Sequence, residues 1–222
     1  MLGVDGGDTL KALRILALAT VALPAAAQAW DVRLEWPFAT GQNLPSTQIQ
    51  GAATSGSLDT GRGFILTGSH RIIRMGPVLK FEWNAEWSHW RADGTVQQGS
   101  ASPGSRLKQD GLGLGVNAQF WLPFTGLAGE VGLLERIHDY KFEAAGASDS
   151  KTLARPWLRV GARWVLPVPG VSPYLAASYQ QPLTRNRPVA QASASSLAAY
   201  LSAQNGGQEV QRLWTLGLGI SF

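Results

Sequence analysis

Apolar side chains recur at every second position along most of this chain, and that period limits the fold more tightly than any other feature. Leu79, Phe81, Trp83, Ala85 and Trp87 alternate with Lys80, Glu82, Asn84, Glu86 and Ser88. Trp30, Val32, Leu34 and Trp36 alternate with Asp31, Arg33 and Glu35, while Leu112, Leu114, Val116, Ala118 and Phe120 alternate with glycine, Asn117 and Gln119. Leu158, Val160, Ala162 and Trp164 do the same against Arg159, Gly161 and Arg163. Successive side chains of a strand point to opposite faces, so each segment carries one apolar and one polar face. The chain is therefore expected to be all-β.

The pattern predicts eight strands, at 30–36, 62–74, 78–91, 110–121, 127–142, 155–165, 173–181 and 210–222. Their mean length is close to the roughly 9–11 residues that a tilted membrane strand requires. Long and short connections alternate without exception. The short ones carry turn residues: Met75-Gly76-Pro77, 122–126 around Pro123 and Gly126, and 166–172 around Pro167, Pro169 and Gly170. The long ones, including 37–61, 92–109 and 182–209, are rich in Gly, Ser, Ala, Thr and Gln. Tight turns at one end and long loops at the other suit a barrel that crosses an outer membrane.

The last strand, with Trp214, Leu216, Leu218, Ile220 and Phe222 alternating to the final residue, resembles the closing strand of transmembrane β-barrel proteins. Strand number and loop lengths are most similar to the small eight-stranded OmpA, OmpX and OmpW type. The resemblance implies a closed antiparallel barrel with short periplasmic turns, long external loops and both termini in the periplasm of a Gram-negative-type cell. It also implies that the segment ending in Phe222 serves as an assembly signal for the barrel-assembly machinery.

The start of the chain fits such a route. Lys11 and Arg14 precede an apolar run from Ile15 to Ala27, and Ala27-Gln28-Ala29 supplies a small-x-small cleavage site. The run falls well short of the roughly 20 residues of a spanning helix. Residues 1–29 are expected to be a secretory signal peptide, leaving 30–222 as the barrel with Trp30 first; an uncleaved anchor is the alternative.

The polar face holds Asp31, Glu35, Glu82, Glu86 and Glu130 against Arg33, Arg71, Lys80, Arg136, Arg159 and Arg163. The interior of an eight-stranded barrel can be filled by side chains, and charges crowded there must pair, because an unpaired desolvated ion costs several kcal/mol. A salt-bridged plug is expected, with a narrow two-signed conduit as the alternative. Trp30, Trp36, Trp87, Trp90, Trp121, Trp157 and Trp164 sit at strand ends, the depth at which interfacial aromatics gather. A soluble sandwich or lipocalin-like barrel with an apolar interior is the rival fold.

Chemistry-bearing motifs are few. Zero cysteines exclude disulfides and thiolate metal sites, and a net charge of +4 without a basic run gives no nucleic-acid stripe. Glu82 and Glu86 share a face about 13 Å apart at 3.3 Å per residue, beyond the separation of a glycosidase pair. Ser69-His70, Ser88-His89 and His138-Asp139 are sequence neighbours, so within each pair the side chains diverge. The His-x-Ser element of outer-membrane lipid A deacylases is missing. No catalytic, metal or cofactor site is expected. Ser193–Gly206 fits a short helix or a mobile loop, with Leu197, Tyr200 and Leu201 on one side.

The expected role is a non-enzymatic outer-membrane anchor, embedded in lipid, that presents loops for envelope structure or a protein partner. A passive pore, a lipid-modifying enzyme and a subunit of a larger envelope assembly are the alternatives.

Overall fold

A strand with one polar and one apolar face needs two different environments, and here a closed ring supplies them. The structure, a computed structural model, describes residues 30–39, 42–49, 51–166, 172–184, 196–204 and 213–222; the segment 1–29 expected to be a signal peptide lies outside the described residues. The strands are β1 (Trp30–Ala39), β2 (Gln42–Ile49), β3 (Ala52–Leu58), β4 (Arg62–Met75), β5 (Leu79–Gln98), β6 (Gly104–Trp121), β7 (Leu127–Ala144), β8 (Ala147–Val165), β9 (Ser172–Pro182) and β10 (Leu213–Ser221), with a helix α1 (Leu197–Gln204) before the last. β5, β4, β1, β10, β9, β8, β7 and β6 pair in that order, and β6 returns to β5, so eight strands close on themselves. Every neighbouring pair is antiparallel. The chain ends meet at the seam: Trp30 donates its N–H to Phe222 at 2.8 Å and accepts one back at 3.0 Å.

Three expected loops are partly strand. The 37–61 connection folds into the β2–β3 hairpin, and β3 pairs with the far end of β5. The 92–109 and 143–154 connections are prolongations of β5–β6 and β7–β8, which leave only short turns at their tips. These segments are polar on one face only, so a hairpin can bury the other face while its pairing satisfies backbone groups that a free loop would leave to water. The rim is consequently lopsided. β5 to β8 run 20, 18, 18 and 19 residues, whereas β9, β10 and β1 run 11, 9 and 10. The three short strands match the length that spans a bilayer at a tilt of about 45°.

Polarity is arranged inside out along that spanning length. Leu216, Leu133 and Val116 are more than half exposed on the outer wall, while Glu82 and Arg159 are fully buried within. Beyond the apolar belt the arrangement reverses. On β5 the outward apolar series stops at Trp87, the outward positions become His89, Arg91 and Asp93, and Trp90, Ala92 and Val96 turn inward. On β6 the switch falls between Leu112 and Leu107 and on β8 between Leu158 and Trp157, while on β7 it is spread from the inward Leu134 and outward Glu135 to Ile137 and Tyr140.

Trp90 and Trp157, expected at the interface on the outer wall, are therefore corrected to interior residues. Water replaces lipid outside the barrel at their level, so apolar area is stabilised by moving to the core. Trp121 is corrected likewise: it shares the inward phase of Gln119 and lies half-buried at the short-turn end. Trp36, Trp87 and Trp164 are exposed on the outer wall, and Trp30 packs edge-on against Trp83 with ring centroids 6.0 Å apart.

The β7–β8 tip is a two-residue turn with both residues left-handed, Ala145 at φ 49° and Gly146 at φ 81°. That geometry suits a hairpin but disfavours a residue with a Cβ at the first position. Ala145→Asn is expected to raise stability by about 0.5–1 kcal/mol, measured by urea unfolding in lipid vesicles, by removing the left-handed alanine.

Candidate functional site

The space inside the ring contains the chain's most concentrated chemistry. Asp31, Arg33 and Glu35 enter from β1, Lys80, Glu82 and Glu86 from β5, Glu130 and Arg136 from β7, and Arg159 and Arg163 from β8. Strand phase aims all of them inward, because each is separated from the next on its own strand by an even number of residues.

They join in one chain of alternating sign. Lys80 pairs with Glu82, which lies 3.9 Å from Arg163. Arg163 bridges Asp31 at 2.7 Å and also pairs with Glu130. Arg33 reaches Glu130 at 2.7 Å and Glu35 at 3.5 Å. Arg159 lies 3.4 Å from Glu35 and pairs with Glu86, which pairs in turn with Arg136. Five carboxylates thus face five cations. Arg71 stands opposite Glu82 in the β4–β5 register but forms no ion pair within 4 Å among the described residues.

Neutral groups extend the network. Thr215 donates to Glu35 at 2.6 Å and Ser221 to Asp31 at 2.8 Å, while Gln119 donates to Glu82 and Arg136 to Gln180. Tyr174 donates to Asp31 and lies under the Arg163 guanidinium, 4.3 Å from its ring centroid. Tyr174 takes this position across Gly219, its register partner, where a Cβ would come within 2.1 Å of the ring. Sequence reasoning missed Tyr174, Ser178, Gln180 and Thr215. Their signal was available, since Leu175, Ala177 and Tyr179 alternate with Tyr174, Ser178 and Gln180 on β9. It also missed the buried Arg155, whose guanidinium carbon lies 5.8 Å from the Tyr140 ring centroid.

An apolar layer covers the charged one. Trp90, Leu107, Phe142 and Trp157 point inward from β5 to β8, and Leu44, Ile49 and Leu58 close over them from β2 and β3. Helix α1 plugs the mouth with Tyr200 and Leu201. Ser196 caps it by accepting the Ala199 N–H at 3.2 Å, Tyr200 donates to the Pro45 carbonyl at 3.1 Å, and Lys151 donates to the Ser202 carbonyl. The Asn205-Gly206 stop expected for this helix lies outside the described residues. Burial pushes the Tyr200 phenol up to about 12, which keeps it a neutral donor.

The histidines do not converge. His70 packs on Trp30 at 4.9 Å, His138 lies inside between Tyr140 and Trp157, and His89 pairs with Asp110 at 2.5 Å on the outer wall. The last is a cross-strand pair that sequence adjacency hides. Its ring is flanked by Phe64 across the sheet and by Trp87 and Arg91 along the strand, none of which supplies a nucleophilic hydroxyl. No group of three metal-ligating side chains occurs among the described residues.

A charged interior within an apolar outer wall is stable only where lipid surrounds the wall. This is a closed transmembrane β-barrel.

Among solved structures, the chain is similar to Ail, the attachment invasion locus protein of Yersinia pestis, in complex with the heparin analogue sucrose octasulfate, at 14% identity and a TM-score of 0.48, covering 89% of this chain and 100% of that one. It is similar to Neisserial surface protein A at 11% identity and a TM-score of 0.44, covering 87% and 97%, and to the translocator domain of the autotransporter NalP from Neisseria meningitidis at 10% and 0.40, covering 97% and 95%. No protein-family model matches the chain, and no curated protein matches it in sequence.

Arg159 is the cation shared by Glu35 and Glu86 and is fully buried. Arg159→Ala is expected to cost about 3–5 kcal/mol in vesicle unfolding, because it takes a cation from two buried carboxylates and leaves Glu35 to Arg33 and Glu86 to Arg136. Adding Glu86→Gln to that variant should recover part of the loss; a double variant as unstable as the sum of the singles would show the charges to be uncoupled.

Proposed function

We propose that this chain is an integral outer-membrane protein whose barrel is a closed, non-conducting anchor for a rigid ledge outside the membrane. The observation that carries the reading is the doubly sealed interior. An ion entering from the ledge side would first cross the apolar layer around Trp90, Phe142, Trp157 and Leu201, then a lumen whose charges already neutralise one another. Among the described residues the lumen charges are held in ion pairs, and the layer above them is mainly apolar, with Gln109, His138 and Arg155 buried within it. The ledge is built from the prolonged β5–β8 hairpins, the β2–β3 hairpin and α1, and it is the part available to an envelope partner.

The same reading places both termini, with Trp30 and Phe222 side by side, at the periplasmic rim. It makes residues 1–29 a signal peptide, so N-terminal sequencing of envelope-purified protein should begin at Trp30. It makes the closing strand, with Trp214, Leu216, Leu218, Ile220 and Phe222, the element read by the barrel-assembly machinery.

Two measurements test the proposal. Refolded protein in planar bilayers should show no steady conductance above the bare membrane; discrete channel openings in every insertion would make it a pore. Phe222→Ser should reduce the heat-modifiable barrel in outer-membrane fractions several-fold. Its effect on urea unfolding in vesicles should stay below the roughly 1.5–3 kcal/mol of a fully buried aromatic, since Phe222 is exposed. Normal insertion with a large stability loss would reduce the residue to packing.

A further inference from the structure

The outer wall carries a row of cations that neither the anchor nor the lumen explains. Arg62 on β4 is the register partner of Arg91 on β5, Arg91 of Lys108 on β6, and Lys108 of Lys141 on β7. All four share the outward phase of their strands. Neighbouring strands are about 4.8 Å apart, so the row spans roughly 14 Å. Like charges directly opposite one another on a sheet repel and destabilise the pairing. Four in succession call for an anion.

Acids of the chain satisfy only part of the row. Arg91 reaches Asp93 at 2.9 Å and Lys141 reaches Glu143 at 2.6 Å, and Asp93 is shared with Arg106 at 2.8 Å. The two guanidinium groups hold the Asp93 carboxyl down to about 2. On the membrane side, Asp110 is taken by His89, and Asp139 accepts the Thr152 hydroxyl. Arg62 and Lys108 have no carboxylate within 4 Å among the described residues.

The height of the row indicates the occupant. Arg91, Lys108 and Lys141 each stand four residues beyond the last large outward-facing apolar residue of their strand, Trp87, Leu112 and Ile137, and Arg62 stands two beyond Phe64. At about 3.3 Å per residue and a tilt near 40°, four residues rise roughly 10 Å, and long cationic side chains bend back toward the membrane. That is the level of lipid headgroup phosphates. The tips of the same hairpins, by contrast, hold Gly99, Ser100 and Ala101, and Ala145 and Gly146, none of them a cation.

We propose that Arg62, Arg91, Lys108 and Lys141 form a binding site for the phosphate groups of the glycolipid in the leaflet around the barrel. This site rests on the outer-membrane reading above. The repulsion within the row is relieved when phosphates bridge neighbouring cations, so the lipid tightens β4–β7 at the base of the ledge.

The test uses residues 30–222 refolded into phosphatidylcholine vesicles, with and without phosphorylated lipopolysaccharide. The lipopolysaccharide should raise the urea midpoint of the wild type. The quadruple variant Arg62→Gln, Arg91→Gln, Lys108→Gln, Lys141→Gln should lose most of that rise. Lys108→Gln alone, checked for folding by heat modifiability, should lose a smaller share. Arg74→Gln removes one positive charge beside the opposite rim and should keep the full rise. Glycolipid retained through detergent purification from envelopes should fall several-fold in the quadruple variant. An equal rise for the quadruple variant or for dephosphorylated lipopolysaccharide would overturn the site. An equal rise from soluble inositol hexakisphosphate would overturn the lipid as its ligand. Failure of the wild type to insert into any vesicle would overturn the membrane reading itself, an outcome distinct from insertion without a lipid effect.

Discussion

Closure of the ring through β1 and β10 is the constraint from which the rest follows. In hydrocarbon no water is present to pair a free N–H or C=O, so a sheet can cross only if its first and last strands bond to each other. The seam runs from Asp31↔Ser221 to Ala39↔Leu213. Once it is shut, one side of every strand faces lipid and the other a narrow shared interior. Most polar side chains of the spanning length then go inward, where they have only one another; Glu135, on the outer wall of β7, is an exception.

The buried ion network is best understood as a register device. Replacing buried ion pairs with well-packed apolar groups is often neutral or stabilising, so the network adds little net stability of its own. A strand apolar on both faces, however, could slip by one residue at little cost. With Arg159 and Arg163 on one face of β8 and Leu158, Val160 and Ala162 on the other, a one-residue slip would push two arginines into lipid, at about 2–4 kcal/mol each at the midplane. Alternating sign across β1, β5, β7 and β8 extends that penalty to strands far apart around the ring.

The barrel was legible in the sequence because period-two alternation reports a two-sided environment directly. The ledge was not, although its mark is present: on β5 the apolar residues change phase between Trp87 and Trp90, and on β7 over the stretch from Leu134 to Tyr140. Reading the tryptophans by distance from strand ends assigned Trp90 and Trp157 to the lipid boundary, where phase would have assigned them to the core. The lumen charges were visible as a set, since every inward position is marked by its apolar neighbours. Their partners were not, because Arg163 and Asp31, or Arg159 and Glu86, meet through the interior rather than along a strand. The cation row was equally hidden. It exists only in the cross-strand register, and Arg62, Arg91, Lys108 and Lys141 form no pattern along the chain.

The change of phase also explains why the rim is lopsided. Only β5–β8 have enough residues to continue past the belt, and having continued they expose a water-facing outer wall and must bury an apolar inner one. On the low side, β9, β10 and β1 end near the membrane, so the inner faces of the tall strands would stand open there. The β2–β3 hairpin, continuing the sheet at β5, and α1, docked on β8 with Tyr200 and Leu201, cover that gap. Both covering elements come from connections that leave short strands: β1 is followed by the hairpin, and β9 by the helix. The cover is therefore supplied from the side that lacks height, and the tall strands supply the wall it rests against. A ledge built this way is held by its own core, apart from the charged lumen beneath it.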